Sequence, residues 1–357
     1  MNIKLAFLFV MLFVMLYFPV CSQNMDTLST REFNIFPILT YDSDTGLGYG
    51  LKLYLVNYLR SYESFDVIAF NSSKGERWYA FNFSTLEKEI RQGKEYNLAA
   101  DVSFDYDKWI KCHFYGTNKE AKLSNDEIYT KTPFEASILI SRGFTNKIAV
   151  SVGSKFKNIK NSNYKPNGLL SSSSNPLDYQ TVKTLAFILG FKYDSRKSFI
   201  NPKSGNVLEI TFEEALKFSF TDSKYFKTVV SIAHYFPFFN EDFVIANRLL
   251  YNNITPVNLP VQLFPSLGGG STLRGYNQDR FLGNAFILLN NELRFPIYKN
   301  FGGIGGVDIG NNFAPWDKFY LGFILGLRFT LTTFIVRADV GLSSEGTNIY
   351  LNFGQLF

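Results

Sequence analysis

Residues 333–342 read Thr-Phe-Ile-Val-Arg-Ala-Asp-Val-Gly-Leu. With a period of two, Phe334, Val336, Ala338, Val340 and Leu342 share one face of a strand, and Ile335, Arg337, Asp339 and Gly341 share the other. One face suits lipid and the other water. The same alternation recurs in 284–297, with Ile287, Leu289, Leu293, Phe295 and Ile297 outward and Asn290, Glu292 and Arg294 inward. In 182–194 it sets Leu185, Phe187, Leu189, Phe191 and Tyr193 against Ala186, Gly190, Lys192 and Asp194. No stretch beyond the amino-terminal leader has a comparable helical period.

Working outward, the pattern places strands at 33–41, 47–58, 65–73, 77–88, 95–106, 127–142, 145–157, 181–194, 205–218, 225–237, 243–254, 284–297, 303–313, 319–330, 333–343 and 348–357. The expected fold is an all-β transmembrane antiparallel barrel of sixteen strands, an even count that puts both termini on the periplasmic side. The long connection 255–283 then becomes an extracellular loop. The polar stretch 159–180 is read as a periplasmic connection, long for that side.

Composition agrees with this reading. Aromatics make up 17% of the chain, with 38 Phe and 21 Tyr, and mean hydropathy is −0.03, which excludes a bundle of membrane helices. A barrel that alternates lipid-facing and lumen-facing residues averages to neutral hydropathy and carries aromatic girdles; a soluble β-sandwich is the competing architecture. The net charge of +5 is modest and gives no nucleic-acid footprint. Residues 1–22 form an expected signal peptide: Lys4, an apolar run ending at Pro19, and Val20 and Ser22 placed for cleavage before Gln23. A membrane anchor, or lipidation at Cys21, is the alternative. The expected barrel domain is 23–357, whose one cysteine, Cys112, allows no intramolecular disulfide.

Five motifs, in order, carry a resemblance to a known family. The hairpin Asp42-Ser43-Asp44-Thr45-Gly46 comes first, then the turn Asp194-Ser195-Arg196 with Pro202 and Gly205. Leu273-Arg274-Gly275-Tyr276, Asn291-Glu292-Leu293-Arg294-Phe295-Pro296 and Gly306-Val307-Asp308-Ile309-Gly310 follow. The chain resembles the outer-membrane assembly and transport barrels that include BamA, TamA and the two-partner-secretion transporters, also called bacterial surface antigen proteins. That resemblance implies protein insertion or translocation at the outer membrane of a Gram-negative bacterium and no cofactor. Its implied partners are outer-membrane lipid, the machinery that inserts the barrel itself, and a client or a separate periplasmic protein. Strand-like sequence begins near Phe33, so the chain is read as a form without the periplasmic POTRA domains. A passive pore or structural surface barrel is the alternative function.

The resemblance also gives the loop arginine a role with a physical reason. Gly306, Asp308 and Gly310 share one strand face, so the carboxylate stands between positions without side chains. A loop folded into the lumen brings Arg274 to Asp308 as a bidentate pair, Gly275 supplies a turn other residues resist, and Tyr276 completes the motif. At the carboxyl end, Gly354 is expected to weaken the last strand beside a lateral seam, or else to relieve crowding, and the terminal Phe357 resembles a barrel assembly signal. Catalysis is not expected. The two histidines, His113 and His234, have no Gly-flanked serine, metal-spaced cluster or phosphate loop beside them in the sequence.

Overall fold

The computed structural model describes residues 31–357 apart from 43–45, 119–120, 173–179, 257, 313–317 and 332–333. The expected signal peptide and the centre of the first hairpin motif lie outside the described residues.

The wall begins with β1 (Glu32–Asp42), β2 (Gly46–Val56), β3 (Ser64–Ser72), β4 (Arg77–Ser84), β5 (Tyr96–Phe114) and β6 (Glu127–Gly143). It continues through β7 (Ile148–Ser162), β8 (Thr181–Asp194), β9 (Gly205–Leu216), β10 (Tyr225–Pro237) and β11 (Val244–Thr255). Two short strands, β12 (Ser266–Leu267) and β13 (Phe281–Leu282), pair with each other, and Leu282 makes a single parallel bridge to Thr117. The wall closes out with β14 (Ala285–Tyr298), β15 (Phe301–Asn311), β16 (Tyr320–Thr330), β17 (Ile335–Ser343) and β18 (Gly346–Phe353). Sixteen of these strands form one antiparallel meander in sequence order, as the alternation predicts.

Side-chain placement follows the period. Phe187, Leu189, Phe191, Leu293, Ile297, Leu321, Phe323 and Leu325 stand exposed on the outer face, while Asn290, Glu292, Arg294, Asp308 and Asp339 are buried within. An exposed apolar belt this continuous would be an aggregation hazard in water and is at home in lipid. Among the described residues no helix is long and apolar enough to cross a membrane.

The sheet departs from the alternation where its edges meet. Among the described residues no backbone ladder joins β1 to β18. Phe334 and Val336, expected to face lipid, are 7% and 5% exposed. They pack with Phe36 and Tyr54, which lie on the inner faces of β1 and β2. The last hairpin therefore slides inside the first at this end, and its outer face meets protein instead of lipid. Phe36 stands edge-on to Phe353 at 5.7 Å and to Phe334 at 6.1 Å, so aromatic contacts occupy the place of a ladder.

Two more expectations need correction. The last strand does not run to 357 but stops at Phe353. Gly354 takes φ +83°, a Cβ there would meet nothing within 4 Å, and its N–H donates to the Ile335 carbonyl at 2.6 Å. Backbone conformation, not crowding, is what calls for glycine here. Residues 354–357 turn into the lumen, which takes Phe357 off the wall. The stretch 159–180 follows β7, an odd-numbered strand, and lies at the same end as the 256–284 connection. Leu170 packs with Phe114, Tyr129, Val261 and Leu282, and the Glu127 carboxylate accepts from the Leu169 and Leu170 amides.

Candidate functional site

Between β11 and β14 the chain folds back into the lumen as a plug. Leu267, Leu273, Tyr276 and Phe281 from the plug pack on Phe286 and Leu288 of β14. Burial of these side chains draws the polar tip, 268–280, down to the level of the inward carboxylates.

Arg274 lies at the bottom of the plug, fully buried. Its Nε and Nη2 donate to the two oxygens of Asp308 at 2.8 and 2.9 Å, and its own backbone N–H reaches Oδ2 at 3.1 Å. The remaining terminal nitrogen, Nη1, donates to Glu292 at 2.7 Å and to Asp339 at 3.1 Å. One guanidinium thus ties β14, β15 and β17 together from inside. Burial alone would lower its pKa, but Asp308, Glu292 and Asp339 raise it above the ordinary arginine value, so the charge is permanent.

The sequence motif showed only the Asp308 half of this arrangement. Glu292 and Asp339 were legible as inward residues of β14 and β17, yet alternation gives a face and not a distance. Arg294 and Arg328 complete the network, Arg294 on Glu292 at 2.9 Å and Arg328 on Asp339 at 2.5 Å.

Close approach is arranged differently from the expected slot. A Cβ on Gly322, the cross-strand partner of Asp308, would stand 2.0 Å from the Arg274 carbonyl. One on Gly341 would stand 2.4 Å from the Gly275 nitrogen. These neighbouring-strand glycines admit the plug backbone. Gly310 faces plug residues Leu267 and Leu273, whereas the atoms nearest a Cβ on Gly306 are backbone atoms of Asn291 and Glu292.

Gly275 has φ +99°, and its N–H donates to the Tyr350 hydroxyl at 3.0 Å. Its carbonyl accepts from Ser343 Oγ at 2.7 Å and Asn348 Nδ2 at 3.0 Å. Tyr276 donates its hydroxyl to the Leu321 carbonyl at 3.1 Å and stands edge-on to Tyr320 at 6.0 Å. Higher in the plug, Arg280 is clasped by Glu345 at 2.7 and 2.9 Å between the rings of Tyr115 and Phe281. Asp279 meets Lys131 of β6 at 2.8 Å. The plug is anchored to opposite walls.

The seam residues lie elsewhere. Gly354 opens the tail, and Phe357 packs on Val207, Ala233, Tyr235, Val244 and Ala246 across the lumen. His113 pairs with Asp126 at 2.7 Å, and His234 meets Asn206 at 2.5 Å. Among the described residues no group of three or more His, Cys, Asp or Glu is placed to hold a metal.

A wall apolar outside and ionic inside, filled by its own loop, defines a plugged transmembrane β-barrel. The family model for the Omp85 superfamily domain matches residues 66–320. The chain belongs to the Omp85 superfamily, and it is an outer-membrane β-barrel of the Gram-negative type. Among solved structures it is similar to BamA from Haemophilus ducreyi lacking POTRA domains 1–3, at 14% identity and a TM-score of 0.59, over 91% of this chain and 69% of that one. It is also similar to CdiB from Escherichia coli, at 14% identity and a TM-score of 0.63, over 90% of this chain and 62% of that one. No curated protein matches it. Membership places the chain, in general terms, among barrels of outer-membrane insertion and translocation.

Proposed function

We propose that the protein handles polypeptides at the outer membrane, inserting or passing them, with the plug as a lock on the lumen and the unladdered seam as the moving part. It carries out no covalent chemistry in this reading. The supporting observation is the junction of plug and seam: Tyr350 of β18 accepts from the Gly275 amide and donates to the Tyr276 carbonyl at 2.7 Å. Any displacement of β18 is felt by the plug beside Arg274. A static pore has no use for a lock that shares its hydrogen bonds with an edge strand laddered on one side alone.

The test is reconstitution into liposomes with an unfolded outer-membrane barrel as client, and with an exported peptide in a second assay. Activity should rise above empty liposomes and stop when Phe36→Cys and Phe353→Cys are cross-linked. Steady single-channel conductance with no effect on either client would establish the passive pore instead.

A further inference from the structure

Beneath the plug lies a lumen chamber of about 620 Å³, bordered by Lys52, Asp66, Lys88, Asp101 and Glu209, and the tail Gly354-Gln355-Leu356-Phe357 forms one of its walls. That tail is held as a receptor holds a peptide. Arg248 Nη1 donates to the Leu356 carbonyl at 3.2 Å and Arg294 Nη2 to a main-chain oxygen of Phe357 at 3.2 Å. Gln355 accepts from Arg328 Nε at 3.0 Å and donates to Asn201 at 3.1 Å. The Phe357 ring lies 5.1 Å from the Arg248 guanidinium and 5.0 Å from that of Arg294, on an apolar seat that includes Tyr235 and Ala246.

The arginines have holds of their own besides the tail. Arg248 is fixed by Asn290 at 2.7 and 3.0 Å, Arg294 by Glu292 and Arg328 by Asp339. Arg294 Nη1 is buried without a hydrogen-bond partner, which leaves a donor for a fuller ligand, while Arg328 Nη2 stands 3.6 Å from Glu292. The tail itself is only half-buried and belongs to no strand. Beyond the Gly354 N–H bond to Ile335 the segment is held by side chains, and it can leave without breaking the sheet.

We propose that this cluster is a peptide-binding site of the lumen and that residues 354–357 are its resident, exchangeable ligand. The ligand class is an extended peptide segment with an aromatic side chain: its main-chain oxygens meet Arg248 and Arg294, and its ring enters the seat between them. The biological meaning rests on the polypeptide-handling reading above; the binding does not.

The test uses the purified full chain in detergent micelles and a fluorescein-labelled Gly-Gln-Leu-Phe peptide. The intact protein should bind weakly, and a variant lacking residues 354–357 at least tenfold more tightly. Gly-Gln-Leu-Ala should lose that gain, as should Arg294→Ala in the shortened chain. Phe357→Ala, which keeps the full length and empties the ring seat, should also bind the phenylalanine peptide at least tenfold more tightly than the intact chain, and serves if the shortened variant does not fold. Equal binding by the intact protein and Phe357→Ala, or indifference to the peptide's phenylalanine, overturns the proposal. A protein that binds the peptide as described yet moves no client in liposomes overturns the proposed function and leaves this site standing.

Discussion

Arg274 is bound by three carboxylates from three strands, and that changes what its removal does. Arg274→Ala leaves Asp308, Glu292 and Asp339 buried without their common cation, a loss on the order of 3–5 kcal/mol for a broken buried pair. Asp308→Ala leaves the arginine with Glu292 and Asp339, so it should be the milder change. Chemical denaturation of the two variants and their combination checks this: the double variant should be less destabilised than the sum of the singles. Arg274→Lys should fail to restore stability, since an ammonium cannot span a bidentate pair and two further carboxylates. A purely steric variant, Gly322→Ala, should displace the plug without touching any charge, because its Cβ would fall 2.0 Å from the Arg274 carbonyl. Protease cutting within 256–284 should then quicken as it does in Arg274→Ala.

Asp279 gives the same loop a dependence on pH. Burial alone would raise its pKa, but Lys131, with Ser266 and Gln278, holds it below the ordinary aspartate value. A carboxylate with a depressed folded pKa stabilises above its unfolded value of about 3.9, and that contribution is lost as pH falls through the folded value. Plug protease resistance should therefore be constant from neutral pH down to about 4 and fall below it, and Asp279→Asn should have lost that part of the resistance at every pH.

At the scale of elements, alternation in the sequence is enough to find sixteen wall strands, because a lumen and a lipid phase write opposite chemistries on successive residues. Its limits are physical too. Phe334 and Val336 alternate like lipid-facing residues, and nothing local distinguishes lipid from the inner face of another strand. Phe357 continues the alternation of β18, yet the tail leaves the sheet at Gly354, where a positive φ and the arginines across the lumen decide its path. Arg274 and Asp308 were legible as a motif, and the chain's own glycine pattern suggested close approach. The glycines that admit the plug, Gly322 and Gly341, are on other strands and become neighbours only through pairing register. The seam carries its own prediction. Cysteines at positions 36 and 353 should be joined by a short bifunctional thiol reagent that fills the space of the two rings, whose native centroids stand 5.7 Å apart. Cysteines placed opposite one another in the lipid-facing halves of β1 and β18 should be joined more slowly.

For the whole molecule, the wall is uneven. β5 has 19 residues and β6 has 17, while β4 and β18 have 8 each. A tilted strand crosses a bilayer in about 9–11 residues. At the plug end β4 stops pairing at Arg77, opposite Lys108, and β5 continues through Phe114 alongside β6. On that surplus stand Phe114 and Tyr129, against which Leu170, Val261 and Leu282 are packed. With an even number of strands and both termini in the periplasm, this end faces the cell exterior. The barrel consequently presents the outside with a parapet on one flank and a low sill on the other. A macromolecule approaching from the medium, whether antibody or protease, meets the parapet over β5 and β6 before the bilayer, and reaches the β17–β18 turn only across the lipid surface. Antibodies raised against intact cells should accordingly be directed mainly at the tall flank, however central the locked arginine is to the fold.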